Sequence, residues 1–121
     1  MQYMLLIYND EVAMGHATPA QMSETMGAFT AYTAALRESR ALVAANRLDF
    51  ASTATTVRET DGKTQVLAGP YAETKEQLGG FYLVEADDLD DAIEIAKKIP
   101  LYAAGSIEVR PLLGQGQHKA G

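Results

Sequence analysis

The sequence predicts one α+β domain of the ferredoxin-like type: a four-stranded antiparallel sheet, two helices on one face and an added β-hairpin. Three observations indicate this fold class. Each half of the chain reads as strand, helix and strand, a strong hairpin signal separates the halves, and 121 residues suit a single domain. We assign residues 1–113 to the domain and residues 114–121, rich in Gly and Gln, to a flexible C-terminal tail.

The first half begins with a strand at residues 1–8 that is apolar on both faces, as expected of a central strand covered from two sides. Residues 10–17 are predicted to form a loop. Thr18, Pro19 and Gln21 then suit the N-cap, N1 and N3 positions of a helix with a capping box. The predicted buried stripe of this helix consists of Met22, Met26, Phe29, Thr33 and Leu36.

A short strand at residues 42–45 and a polar connection precede the hairpin signal. The segments ATTVRET and KTQVLA flank Asp61-Gly62. A type I′ turn needs a positive φ at both central residues, and Asp-Gly is among the pairs that adopt it most readily. The sequence therefore predicts a β-ribbon inserted between the two halves.

The second half begins with a strand at residues 79–85, which is also apolar on both faces. Asp87 and Asp88 offer N-cap carboxylates for a second helix that stops at Pro100. Residues 106–111 alternate apolar and polar side chains, as an edge strand covered on one side would. The predicted buried stripe of the second helix consists of Leu89, Ala92, Ile93 and Ala96.

Composition and charge narrow the classes of function. The formal net charge is −6 and the ten Lys and Arg residues are scattered, which argues against a nucleic-acid partner. With no Cys, the chain has no disulfide, no thiolate metal site and no Cys nucleophile. The opening MQYMLLIYND resembles neither a signal peptide nor a membrane span, so we expect a cytoplasmic protein without membrane contact.

The predicted fold leaves one face of the sheet bare. Because both central strands are apolar on two faces, large apolar side chains remain exposed whichever face packs against the helices. Burying five such side chains is worth roughly 10 kcal/mol, comparable with the roughly 4–15 kcal/mol that association costs. We therefore expect a symmetric homodimer with its sheets face to face and a ligand cavity between them.

Long segments of the chain closely resemble the YCII-related proteins of the DGPF branch. They are AGPYAETKEQLGGFYLVEADDLDDAIEIAKKIP, the opening MQYMLLIYND and the ending GSIEVRPL, so the resemblance covers nearly the whole chain.

The resemblance implies a dimeric α+β barrel on a ferredoxin-like protomer. It also implies that the branch has no assigned general activity and that some members are encoded beside, or fused to, extracytoplasmic-function sigma factors. In the wider family a His-Asp pair is proposed to act in catalysis. Ala68 replaces the Asp of the DGPF motif in this sequence, and Tyr71 replaces the Phe of the motif. The chain therefore lacks a catalytic base at the Asp position.

The run GPYAETKEQLGG contains the first candidate ligand-binding residues. Lys75 could hold an anionic group while Tyr71 or Glu73 shapes the pocket. Gly79 and Gly80 allow backbone or ligand to approach a strand without a Cβ in the way. The alternative is that this loop seals the end of the barrel or forms the dimer interface, with its charges in solvent.

Further candidates lie on the predicted strands. Tyr8 and Tyr82 could present hydroxyl groups to a ligand, and Glu108 and Arg110 could line a dimer cavity as an acid and an anion anchor. Buried tyrosines with satisfied hydroxyls, and charges solvated along an edge strand, are the alternative interpretations.

The two histidines supply neither a metal site nor a catalytic pair. His16 is predicted to lie in an exposed loop, with no Asp at a recognisable spacing, and His118 belongs to the predicted tail. No HxH or HxxxH pattern is present, so we predict no metal site and no cofactor.

Three functions remain open. The first is a small-molecule-binding or regulatory dimer associated with sigma-factor signalling, which the resemblance favours. The second is a cofactor-independent isomerase or lyase that uses the barrel cavity, and the third is a structural dimer module. Because no convincing acid-base pair is visible in the sequence, it leaves open whether the protein is an enzyme.

Overall fold

The computed structural model describes residues 1–114, which form six β-strands and three α-helices. The predicted tail, apart from Gly114, lies outside these residues. A short 3-10 turn spans Ala51–Thr53. The other elements are β1 (Gln2–Asp10), α1 (Glu11–Gly15), α2 (Pro19–Glu38), β2 (Leu42–Arg47), β3 (Thr55–Thr60), β4 (Lys63–Ala68), β5 (Glu76–Glu85), α3 (Leu89–Lys97) and β6 (Gly105–Pro111).

Four strands form one antiparallel sheet in the order β2-β5-β1-β6, while β3 and β4 form a separate two-stranded ribbon. This strand order, with a long helix in each β-α-β half, is ferredoxin-like, so the predicted fold class is confirmed. The central strands β1 and β5 are the two that the sequence shows as apolar on both faces. Along residues 1–114, none of the helices combines the length and the hydropathy that a membrane crossing requires.

The hydrophobic core lies between the two longer helices and one face of the sheet. Leu5 and Val84, on neighbouring central strands, have no exposed surface there. Side chains alternate across a strand, so Leu6 and Leu83 point to the opposite face and lie outside the core. The core consists of Tyr3, Leu5, Ile7, Leu36, Tyr82, Val84, Ala86, Ala92, Ala96 and Ile99.

Two local signals in the sequence produce the predicted geometry. The Thr18 hydroxyl accepts a hydrogen bond from the Gln21 amide at 3.1 Å, and the Gln21 side chain accepts one from the Thr18 amide at 2.8 Å, which completes the capping box of α2. The ribbon turn has φ of +52° at Asp61 and +75° at Gly62, as a type I′ turn requires. The predicted helix start and the predicted hairpin are therefore confirmed.

The loop predicted for residues 10–17 is wrong over most of its length, because α1 occupies this segment. Asp10 is its N-cap and accepts a hydrogen bond from the Ala13 amide at 3.1 Å. The Glu11 carboxylate accepts the Ala51 amide at 3.0 and 3.1 Å, which ties α1 to the connection that follows β2. Five residues are too few for a helical period to be visible in the sequence.

Three smaller corrections concern the ends and faces of elements. Strand β5 begins at Glu76, three residues before the predicted start, because Glu76, Gln77 and Leu78 pair with the end of β1. Leu89 and Met26 were predicted to be buried, but their exposed fractions are 49% and 52%. Leu89 is the first residue of α3, where the helix has not yet reached the sheet. Met26 lines a cavity beneath α2.

Candidate functional site

A cavity of about 560 Å³ lies between α2 and the helix-facing side of the sheet. Within α2 only Leu36, close to its C-terminal end, is buried, so the rest of the helix does not close against the strands. Small residues such as Thr33 and Ala34 face the cavity from α2. The volume is within the range of about 300–1,000 Å³ that small-molecule sites occupy. Apolar side chains from α1 and α2 that line it are those of Met14, Met22, Met26 and Phe29.

Gly79 and Gly80 form part of the cavity floor. The pairing of β1 with β5 steps from Ile7 opposite Gly80 to Tyr8 opposite Leu78, so Gly79 is an extra, bulged residue. A Cβ at Gly79 would overlap the side-chain amide of Asn9, and a Cβ at Gly80 would lie 2.8 Å from the Asn46 carbonyl oxygen. The expectation that these glycines permit close approach agrees with this geometry, since strand β2 and a side chain occupy that space.

Two hydroxyl groups meet on the inner wall of the cavity. The Tyr82 and Thr33 hydroxyl oxygens are 2.7 Å apart, which links β5 to α2. Behind them, Tyr32 packs edge-on against Tyr82 with ring centroids 5.2 Å apart and donates a hydrogen bond to the Ile95 carbonyl at 2.7 Å. Burial, followed by the neighbouring Tyr82, raises the pKa of the Tyr32 hydroxyl.

The charged and amide side chains around the cavity are few. Arg37 comes from the last turn of α2, Asn46 and Arg47 from the end of β2, and Asn9 from the end of β1. Among residues 1–114, the residues that line the cavity include no Asp, Glu or His. Tyr102, in the connection between α3 and β6, adds a hydroxyl that donates to the Gln21 side chain at 3.2 Å.

Three of the predicted site residues lie on the opposite face of the sheet. The Tyr8 hydroxyl donates a hydrogen bond to Glu108 at 3.3 Å, and Arg110 forms an ion pair with the same carboxylate. The hydrogen bond that Arg110 donates to Glu108 raises the pKa of the Arg110 guanidinium. The sheet separates these side chains from the cavity beneath α2.

The other predicted residues lie on an exposed loop between β4 and β5. Tyr71 is 78% exposed, and the Arg58 guanidinium lies 5.6 Å from its ring centroid. Glu73 and Lys75 are exposed, and neither forms an ion pair within residues 1–114. The Gln77 side chain holds the loop by donating to the carbonyls of Ala72 and Thr74, at 3.2 and 3.0 Å.

The structure thus divides the predicted ligand-binding residues among three places. Gly79, Gly80 and Tyr82 line the cavity. The charged residues on the opposite face and on the loop do not reach it, and their roles in binding stay predictions. Sequence reasoning missed Asn9, Arg37, Asn46, Arg47 and, as a site residue, Thr33. Thr33 did carry a signal, because it is the polar member of the otherwise apolar stripe predicted for α2.

Metal ligands are not clustered in the described part of the chain. Within residues 1–114, no group of three His, Cys, Asp or Glu side chains could hold a metal ion. His16 is exposed at the end of α1, and His118 lies outside the described residues.

The fold and the cavity define a ferredoxin-like α+β domain with a largely apolar site of small-molecule size. The chain belongs to the YCII-related domain family, whose model matches residues 1–114. An uncharacterized protein of Rhizobium meliloti (strain 1021) is 38% identical over 114 residues, which cover 93% of this chain and 92% of the relative. The family prediction is confirmed, while membership of the DGPF branch stays a prediction.

Proposed function

We propose that this protein binds a small molecule in the cavity between α2 and the sheet. The observation that carries the proposal is the incomplete packing of α2, which leaves about 560 Å³ above a floor of glycines. A single core closed against both helices would be more stable, because each buried large apolar side chain contributes about 1.5–3 kcal/mol. Apolar walls with a few polar groups are typical of ligand sites.

The chemistry of the cavity favours binding over acid-base catalysis. General acid-base enzymes usually use His, Asp or Glu with a pKa near the working pH. Within residues 1–114, no such residue lines the cavity, and its proton-bearing groups there are the hydroxyls of Thr33, Tyr82 and their neighbours. A cofactor-independent isomerase or lyase is therefore the second candidate, with Tyr82 as its proton donor.

The protein is further proposed to act as a homodimer that pairs the open faces of two sheets. On this face Met4, Leu6 and Leu83 remain partly exposed in one chain. Glu108 and Arg110 lie on the same face, so a two-fold axis would bring complementary charges together. A second copy is the occupant with matching shape, since two twisted sheets pack well at a separation of about 10 Å.

A regulatory role is compatible with these features. A dimer that binds a small molecule is the kind of protein that could report a metabolite to a transcription factor, and such a role would place it in the cytoplasm. The association with a sigma factor rests on the family resemblance alone. A structural dimer module is the alternative if the cavity binds nothing.

The cavity can be tested by NMR titration of the ¹⁵N-labelled protein with 4-phenylbutanol, a neutral probe. We expect the largest shifts at lining residues such as Gly79 and Thr33, with a Kd on the order of 1 mM for so small a ligand. Ala34→Trp should fill the cavity from α2 and abolish these shifts. Ala31→Trp is the matched control, because Ala31 is exposed on the same helix and does not line the cavity.

The same titration can contradict the proposal that the cavity binds a small molecule. If neither 4-phenylbutanol nor its acid, 4-phenylbutyrate, shifts the lining residues, the cavity is not a ligand site. Equal loss of binding in Ala34→Trp and Ala31→Trp would likewise contradict it.

A further inference from the structure

We infer that the cavity selects a ligand with a carboxylate on an apolar body, and that Arg47 and Asn9 hold the carboxylate above Gly79 and Gly80. This inference rests on the proposed function and names the chemical class of its ligand. The sequence predicts neither Arg47 nor Asn9 as a site residue, but it does predict the two glycines that lie between them.

The strand register places Arg47 on the cavity side of the sheet. Ala45 pairs with Tyr82 and Arg47 with Gly80, and Tyr82 is buried on the helix-facing side. Because side chains alternate along a strand, Arg47 leaves β2 on that same side. Its neighbour across the pair is a glycine, so no side chain of β5 separates the guanidinium from the cavity floor.

Asn9 reaches the same floor from the other side of β5. Its side chain lies against Gly79, in the space that a Cβ there would fill. Within residues 1–114 the Asn9 amide has no side-chain hydrogen bond, although it lines a cavity with apolar walls. The bulge at Gly79 thus leaves an amide and a guanidinium on either side of a strip of bare backbone.

Charge supports an anionic ligand. The chain carries a formal net charge of −6, yet the charged side chains that line the cavity in residues 1–114 are Arg37 and Arg47. Neither forms an ion pair with another described residue, whereas Arg110 is paired with Glu108. A guanidinium that faces a largely apolar cavity favours an anionic group that it can bind through two parallel hydrogen bonds.

The backbone favours a carboxylate over a phosphate. Phosphates are often held by the free N–H groups at a helix N-terminus. At the start of α2, Pro19 has no N–H and the Gln21 N–H already donates to Thr18, so few such donors are available. A planar carboxylate needs only the fork of one guanidinium and a neighbouring amide.

The test compares three probes of nearly the same shape: 4-phenylbutyrate, 4-phenylbutanol and 4-phenylbutylamine. Kd values come from NMR titration or calorimetry of the full chain. We expect the acid to bind about tenfold more tightly than the alcohol, because a hydrogen bond to a charged group is stronger than a neutral one. The amine should bind most weakly. Raising NaCl from about 50 to about 500 mM should weaken the binding of the acid but not that of the alcohol.

Variants assign the effect to residues. Arg47→Ala should remove the preference for the acid over the alcohol, and Arg47→Lys should restore part of it, since lysine keeps the charge but not the fork. Asn9→Ala should reduce the preference a few-fold. Arg37→Ala should reduce the preference for the acid by only about twofold, because it removes a more distant charge. Lys63→Ala, at the exposed first residue of β4, is the matched control and should change nothing.

Two outcomes would overturn the inference while leaving the proposed function in place. In one, the acid and the alcohol bind equally well to the lining residues. In the other, Lys75→Ala removes the preference and Arg47→Ala does not, which would locate the anion site on the loop between β4 and β5. If none of the three probes shifts the lining residues, the proposed function itself is wrong.

Discussion

Replacement of Gly80 by alanine is expected to lower the free energy of unfolding by about 1–3 kcal/mol, the usual cost of overpacking a close contact. The new Cβ would lie 2.8 Å from the Asn46 carbonyl oxygen and 3.4 Å from the Arg47 Cα. Both atoms belong to the backbone of β2, which is fixed by its pairing with β5. The clash can therefore be relieved only by moving a strand.

Gly79→Ala is the matched control for this prediction. Its Cβ would overlap the Asn9 side chain, which can rotate away because no hydrogen bond to another described residue holds it. We expect a loss of stability smaller than that of Gly80→Ala, together with a weaker preference for 4-phenylbutyrate, since Asn9 is displaced. The free energy of unfolding of both variants is measured by urea denaturation, with a check that the m-value stays constant. An equal loss of stability in Gly79→Ala and Gly80→Ala would show that the close approach of β2 does not depend on Gly80.

Much of the fold could be predicted because it depends on local signals. The capping box at Thr18 and Gln21 and the Asp61-Gly62 turn each require particular residues, and both formed as predicted. The two central strands were visible because they are apolar on both faces. Helix α1 was not visible, since it is held by Asp10 and by a contact from Glu11 to Ala51, 40 residues away in the chain.

The site could be predicted only in part. The two glycines are a signal in the sequence itself, and they do mark a close approach of strands. The apolar stripe of α2 predicts that the helix faces the sheet, but periodicity carries no information on the distance between them. That distance decides whether Met26 and Phe29 fill a core or line a cavity. Arg47 lies in the polar connection predicted after the strand at residues 42–45 and belongs to no periodic pattern, so the sequence offers no reason to single it out.

The parity of the sheet faces explains why the predicted ligand-binding residues on the strands lie on two different surfaces. The predicted set combined Tyr8, Tyr82, Glu108 and Arg110, because the sequence does not show which face the helices cover. The structure puts Tyr82 on the helix side and the other three on the open side. One chain therefore has two separate surfaces: a cavity, which we propose binds a ligand, and an open sheet face, which we propose pairs with a second copy.

The proposed dimer makes a prediction with a large expected effect. The wild-type protein should sediment at micromolar concentration with twice the 13.0 kDa mass of one chain. Leu83→Glu should raise the dimer Kd by at least about 100-fold. Leu83 lies between Met4 and Ala44 at the middle of the open face. In a two-fold dimer the substitution buries two unpaired carboxylates at once, each at a penalty of several kcal/mol.

Val57→Glu provides the comparison that makes the prediction specific. Val57 is 67% exposed on the ribbon, so it is a more accessible apolar side chain than Leu83 and the obvious choice if the ribbon were the interface. We expect Val57→Glu to remain dimeric and Leu83→Glu to become a folded monomer, with circular dichroism unchanged in both. A wild-type protein that sediments as a monomer would contradict the dimer. A dimer that Val57→Glu dissociates and Leu83→Glu does not would place the interface on the ribbon and leave the open face of the sheet in solvent.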